Sequence, residues 1–151
     1  MKISIKSPSL GSIEAELTNE NPKTAKAIYD LLPISGTASL WGEEIYFPIV
    51  HPGLGSGAQL AIAPEHPRTV VKAGEIAIWI EQPSFCIIFG KTPMSTDKEI
   101  KVYSECNVIG KIEGNPAIFK KVKEGEKILV GKVVQEEMEK NNLPIWLSRG
   151  L

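Results

Sequence analysis

Two carboxylates, Glu43-Glu44, stand just before Tyr46, and Lys91-Thr92 follows a run of apolar residues further along the chain. Carboxyl, phenol, amine and hydroxyl groups can move a proton or grip a polar ligand if the fold brings them within about 3 Å of it. Neighbouring residues of a strand point to opposite faces, so Glu43 and Glu44 cannot converge as an acid/base pair. One is expected in solvent and the other in the interior or a cleft. An inward glutamate would be a perturbed group and a site candidate; the plainer alternative is a pair of solvated carboxylates at a strand edge.

Other patterns suggest chemistry and lose it on context. Gly90-Lys91-Thr92 is the end of a phosphate-binding P-loop, but the first glycine of that motif falls on Phe85, and Pro93 stops the helix that the lysine should open. The residues 85–89 read instead as a buried strand from which Lys91-Thr92 emerges. Gly53, Gly55 and Ala58 fit a dinucleotide fingerprint, yet Pro64 and Pro67 break the segment where its helix should run, and no βαβ unit surrounds it. His51 and His66 each adjoin a proline in a loop with no Cys/His ligand spacing, so no metal is expected. An arrangement of these histidines with Ser56 has nothing to select it. Cys86 and Cys106 sit among apolar residues outside any Cys-x-x-Cys pair, which predicts two buried free thiols in a reducing cytoplasm. No cofactor is expected.

The elements that must position such groups can be read from periodicity. Segments 2–6 and 11–17 alternate polar and apolar around Pro8, Ser9 and Gly11, an antiparallel hairpin. Asn21 caps a predicted helix that starts at Pro22, runs Ala25, Ile28, Tyr29 and Leu32 along one stripe and stops at Pro33. Residues 36–50 give two strands joined at Trp41-Gly42, 51–59 a loop, and 60–68 a stretch too proline-rich for a helix. Residues 74–91 give two apolar strands around a turn at Gln82-Pro83-Ser84. A polar stretch at 92–104 precedes a strand at 106–112. Asn115 and Pro116 open a second short helix, with Ile118, Phe119 and Val122 facing inward and Gly125 ending it, and 126–134 is a long closing strand.

About nine strands so closely spaced leave no room for helical crossovers, which predicts a mainly β, mostly antiparallel barrel or sandwich. A chain of 151 residues makes one ordinary domain, and 42% hydrophobic against 23% charged residues excludes disorder. The net charge of −1 is spread without a basic stripe, which argues against nucleic acid. No apolar run approaches the roughly 20 residues that span a bilayer, and nothing near Met1 reads as a signal peptide. A soluble, cytoplasmic protein without a membrane partner is the expectation. Residues 135–151 read as a separate tail: polar and helical to Asn142, then apolar at Leu143, Ile145, Trp146 and Leu147. It would fold back on residues 1–134 or cover a neighbouring subunit, making a homodimer.

The order of these features resembles cyclophilin, the β-barrel prolyl isomerase. "GSIEAELTNENPKTAKAIYDLL" resembles that family's opening strand and helix, "EIYFPI" stands in place of its Phe-His-Arg strand, and "NVIGKIEGNPAIFKKVKEGEKI" resembles its later Phe-Gly-Lys-Val strand and helix. "WGEEIYF", "GEIAIWI", "FGKTPMSTD" and "NVIGKI" together are similar to a small uncharacterised cyclophilin-like family of archaea and bacteria. The resemblance covers roughly residues 2–134 and implies a closed eight-stranded barrel, two short capping helices and a groove on one side. Glu44, Tyr46, Gln59, Phe85, Lys91 and Thr92 are the groove candidates, and no catalytic residue is assigned.

The departures from cyclophilin carry the functional expectation. The family lowers a rotation barrier of about 18–20 kcal/mol with an arginine that hydrogen-bonds the proline amide. Laying "YFPI" over its strand puts Pro48 at that position, and neither Arg68 nor Arg149 lies in this strand. The family's glutamine is also absent, because its strand becomes Phe85-Cys86-Ile87. A lysine lacks the planar fork that would replace the arginine. The expectation is a domain that binds a small molecule or peptide in its groove; the alternatives are an enzyme of unassigned chemistry there, or residual isomerase activity.

Overall fold

The computed structural model describes residues 1–54 and 60–133. The expectations placed on Gln59, Ser56 and the tail at 135–151, with the dimer it would mediate, lie outside the described residues. The strands are β1 (Lys2–Ser7), β2 (Gly11–Leu17), β3 (Ile34–Thr37), β4 (Ser39–Leu40), β5 (Glu44–Pro48), β6 (Arg68–Val71), β7 (Glu75–Trp79), β8 (Ser84–Ile88), β9 (Ile100–Ile112) and β10 (Lys127–Val133). One helix, α1 (Pro22–Leu31), and two 3₁₀ turns, Pro52–Leu54 and Pro116–Lys121, complete them.

All the strand pairings are antiparallel, in the order β3-β10-β1-β2-β9-β7-β8-β5-β4, with β6 added to β9. The architecture is mainly β, as the alternating segments require, but the expected closed eight-stranded barrel is corrected in two respects. The sheet holds ten strands, and its ladder is open, since β3 and β4 are not paired with each other. These two ends are consecutive in the chain and meet at Ala38, whose N–H donates to Glu126 O at 2.8 Å while its carbonyl accepts from Gly125 N at 2.8 Å. Here the backbone leaves β10 and turns to β5. The gap is filled from inside by the Phe47 ring, which lies against Gly36 of β3.

The polar stretch expected at 92–104 is also corrected, because β9 begins at Ile100 and runs for 13 residues. Val102 and Cys106 are buried while Tyr103 and Glu105 face solvent, and β6 pairs along this outer half. The helix α1 forms where its stripe predicts, with Ala25 and Ile28 buried, but Asn21 makes no side-chain cap. Its amide is fully buried: Nδ2 donates to Val108 O at 2.8 Å and Oδ1 accepts from His66 N at 2.6 Å. Glu65 caps the helix instead, accepting from Lys23 N and Thr24 N, each at 3.1 Å. Burial raises the Glu65 carboxyl, and these hydrogen bonds more than offset that and lower it. The second capped segment is 3₁₀ rather than α, with Asn115 Oδ1 accepting from Ala117 N at 3.0 Å.

Candidate functional site

Strand parity builds the site. Ile45 and Phe47 of β5, Ile76 and Ile78 of β7, and Phe85 and Ile87 of β8 fill the main core with β1 and β10 residues. The alternate residues of the same strands point outward. There Ala77, Cys86, Ile88, Val102, Cys106 and Val108 form a second, smaller core, with Tyr46 and Trp79 packed against it. A cavity of about 330 Å³ opens above this outer floor. Glu44 and Tyr46 line it from β5, Trp79 from β7, and Ser104 and Tyr103 from β9, while Trp41 reaches it from the β4–β5 turn and Glu81 and Gln82 from the β7–β8 turn.

The turn that carries Trp41 and Glu44 is pinned. Trp41 N donates to Glu44 O at 2.9 Å, and Gly42 between them takes a φ of +60°. A Cβ at Gly42 would come within 2.8 Å of Lys91 O and 2.9 Å of Thr92 Cα. Glu43 N donates to Lys91 O at 2.8 Å, and Glu43 O accepts from Phe89 N at 2.9 Å. The Glu43 side chain lies over Gly90, and a Cβ there would have to push its carboxylate aside. The glycines of "WGEE" and "FGKT" therefore interlock two backbone segments, which gives Gly90-Lys91-Thr92 a structural use in place of phosphate binding. Gly42→Ala is expected to lower the unfolding free energy by about 2 kcal/mol, from the left-handed φ and the backbone contact together. Urea unfolding checks it, and a variant as stable as the parent would show that the interlock carries no energy.

Aromatic rings close the rim. Tyr103, 66% exposed, makes edge contacts with Trp41 at 6.2 Å and Trp79 at 6.1 Å between ring centroids. The Trp79 indole N–H donates to Ser104 Oγ. At the floor, Glu44 is only 7% exposed, and its Oε1 has no hydrogen-bond partner among the described residues. Burial pushes this carboxyl up to about 7, and the neighbouring Cys86 thiol draws it slightly back. The thiol has one proton and an acceptor of its own in Ser84 O, 3.7 Å from Sγ, so burial dominates. Burial, then the Glu44 charge, raises both thiols, Cys106 to about 12. Both cysteines are free, buried and protonated at neutral pH, so neither supplies a thiolate nucleophile.

The structure brings together two of the candidates read from sequence, Glu44 and Tyr46. Phe85 lies on the opposite face, fully buried and stacked on Phe47 with centroids 5.4 Å apart. Thr92 is buried in a turn, its N–H donating to Ser95 Oγ at 2.9 Å and its hydroxyl donating to Lys101 O. Lys91 is exposed and does not line the cavity. Arg68 is also elsewhere: its guanidinium forks onto Glu20 at 2.6 and 2.9 Å and Glu75 at 2.7 and 3.2 Å, tying β6 to β7 and to the start of α1. Sequence reasoning missed Trp41, Trp79, Tyr103, Cys86 and Cys106. Among the described residues, no group of three or more His, Cys, Asp and Glu side chains could hold a metal ion, and no helix is long and apolar enough to cross a membrane.

Residues 1–131 match the model of a family described as Cyclophilin-like. The solution structure of a hypothetical protein from Archaeoglobus fulgidus is similar to this chain with 37% identity and a TM-score of 0.68, covering 88% of this chain and 95% of that one. A structure of McbB in complex with tryptophan shares the fold at 14% identity and a TM-score of 0.63, covering 88% of this chain and 46% of that one. No curated protein matches the sequence.

Proposed function

This chain belongs to the cyclophilin-like family, and on that premise we propose that it is a binding module whose ligand, a small molecule or peptide, occupies the cavity on the outer face of β5, β7, β8 and β9. The observation that carries this reading is the buried, unpartnered Glu44 Oε1 at the floor of an aromatic-rimmed cavity. An unmet buried acceptor costs about 1–3 kcal/mol, and buried polar groups in folded proteins nearly always have a partner. A donor on a ligand would supply the one missing here. The cavity falls at the lower end of ligand pockets, which run about 300–1,000 Å³.

Mass spectrometry of the protein isolated under native conditions tests the reading. A copurifying molecule is expected, released by Trp79→Ala while the circular dichroism spectrum is kept. Retention of that molecule by both Trp79→Ala and Trp41→Ala would place it elsewhere and overturn the proposal. A carboxyl with a pKa near 7 beside Tyr46 also suits general acid/base work, and this supports the second reading, an enzyme of unassigned chemistry. Conversion of the copurifying molecule during incubation would move the assignment there.

Prolyl isomerisation is the weaker reading. We take the position of the cyclophilin arginine to be occupied by Pro48, which ends β5 exposed, and Arg68 is committed to Glu20 and Glu75. A protease-coupled prolyl peptide assay should return the uncatalysed rate; efficient turnover would refute this. The two free, buried cysteines support a reducing compartment such as the cytoplasm, and fractionation that recovers the chain outside it would contradict that placement.

A further inference from the structure

We infer that the ligand's recognised group is an organic ammonium carrying N–H donors on an apolar, preferably aromatic, body, with Glu44 as its counter-ion and Trp41, Trp79 and Tyr103 as its walls. This rests on the reading of the cavity as a ligand site and specifies its chemistry. Three observations converge on it.

The first is the floor. Glu44 Oε1 is buried without a partner among the described residues, and a carboxylate can only accept hydrogen bonds. The group that completes it must be a donor, and a cationic donor also neutralises the buried charge. The second is the wall. Tyr103 makes edge contact with both Trp41 and Trp79 at the opening, and tryptophan presents the strongest face to a cation.

The third is the sign of the lining. Its formally charged groups are Glu44 and Glu81, and no lysine, arginine or histidine is among the described lining residues. An anion entering this cavity would meet two carboxylates and no cation. A neutral ligand would leave Glu44 to be buried either charged and unpaired or protonated. A quaternary ammonium would satisfy the charge but not the vacant acceptor, so N–H donors are required.

Binding should follow the ionisation of Glu44. The titratable groups around it are Tyr46 on β5, Cys86 on β8, Cys106 and Tyr103 on β9, and Glu81 at the β7–β8 turn. Burial and the Glu44 charge keep both thiols protonated, the Cys106 one up to about 12. With the Glu44 carboxyl near 7, its ionised fraction falls about thirty-fold between pH 8.5 and 5.5, and ammonium affinity should fall by a similar factor.

The probes are phenethylammonium, its N,N,N-trimethyl analogue, the uncharged 2-phenylethanol and N-acetyl-lysine methylamide, titrated into the full chain while the indole NMR signals of Trp41 and Trp79 are followed. At pH 8.5 phenethylammonium should bind at least ten-fold more tightly than the alcohol and more tightly than the trimethyl analogue. Glu44→Gln should abolish that preference, whereas Glu105→Gln, an exposed carboxylate of β9 outside the cavity lining, should change it less than three-fold. Tighter binding of the lysine derivative would assign the ammonium to a peptide side chain, and tighter binding of phenethylammonium to a free amine. Equal binding of alcohol and ammonium would overturn the inference while leaving the cavity a ligand site. No response to any probe would overturn it too, with the cavity reading then judged separately by the copurification experiment. Thermal melting shows that each variant is folded.

Discussion

Glu44→Gln should make the protein more stable at pH 8 by about 3 kcal/mol and leave it almost unchanged at pH 4. The figure is the shift from the ordinary 4.5 to about 7, at about 1.4 kcal/mol per unit. Burial raises the folded carboxyl above its unfolded value, so the folded state holds the proton more tightly. Below pH 4.5 the group is neutral in both states and costs nothing. As the pH rises from 4.5 through about 7, the unfolded chain ionises more readily and the folded state loses stability; above that the penalty is constant. Glutamine keeps the shape and removes the charge. Urea unfolding of both proteins at pH 4 and pH 8 checks the claim. A variant less stable than the parent at pH 8 would mean that the carboxylate has a partner in the folded protein, and the site would lose its central feature.

Glu126 has the opposite sign. Burial raises it slightly, but hydrogen bonds from Ser9, at 2.5 Å to Oγ and 2.8 Å to N, and from Ser7 hold it at about 2. Its contribution is present above 4.5 and is lost as the pH falls toward 2. The contributions of these two carboxylates, taken alone, are jointly most favourable near pH 4.5–5. The substitution that should stabilise the empty protein is also the one that should destroy ammonium recognition. Stability given up at one buried group is a common mark of a working site.

Much of the fold was legible because period-two alternation and Gly/Pro turns are local signals. β1, β2, β5 and β10 fall where their alternation places them, and β7 and β8 where their apolar runs and the turn at 82–84 place them. β3, as a strand apart from β4, and β6 were missed because Pro33 precedes the one and Pro67 the other, and a short strand after a proline carries little pattern. The outer half of β9 was missed because Lys101, Tyr103, Ser104 and Glu105 mask the alternation of Val102 and Cys106. The misassigned cap has a different cause. Asn21 is engaged by Val108 and His66, and the real cap, Glu65, comes from 41 positions away.

The site was less legible for a physical reason. In "EIYFP" the alternation separates Glu44 and Tyr46 from Ile45 and Phe47, and these two candidates do reach the cavity. In "SFCII" every residue is buried, because both faces of β8 are covered. Period two then has no polar face to report, and nothing local tells which of Phe85 and Cys86 faces the core. The rim depends on distant pairing: Trp41, Trp79 and Tyr103 meet only after β5, β8, β7 and β9 align.

Gly36→Ala should cost about 3 kcal/mol, at the upper end of what overpacking does. Between β3 and β4 there is no ladder to hold the sheet, and contact passes through the Phe47 ring on Gly36. A Cβ on Gly36 would lie 2.5 Å from Phe47 Cγ and 2.7 Å from its Cβ, the root of the side chain and not its flexible end. Phe47 cannot retreat, because Phe85 is stacked behind it at 5.4 Å and both rings are fully buried. Relief must come from β5 or β3 shifting as a backbone. Gly131→Ala on β10 is the matched control, since its Cβ would meet only Ser4 Oγ at an ordinary 3.4 Å; it should change stability by less than about 1 kcal/mol. Equal costs for the two, measured by urea unfolding, would show that the seam tolerates a methyl group and that Phe47 does not close it. Glu44 and Tyr46 alternate with Phe47 on β5, so a shift of that strand should also move the indole NMR signals of Trp41 and Trp79. The cavity and the gap in the sheet are two faces of one short strand.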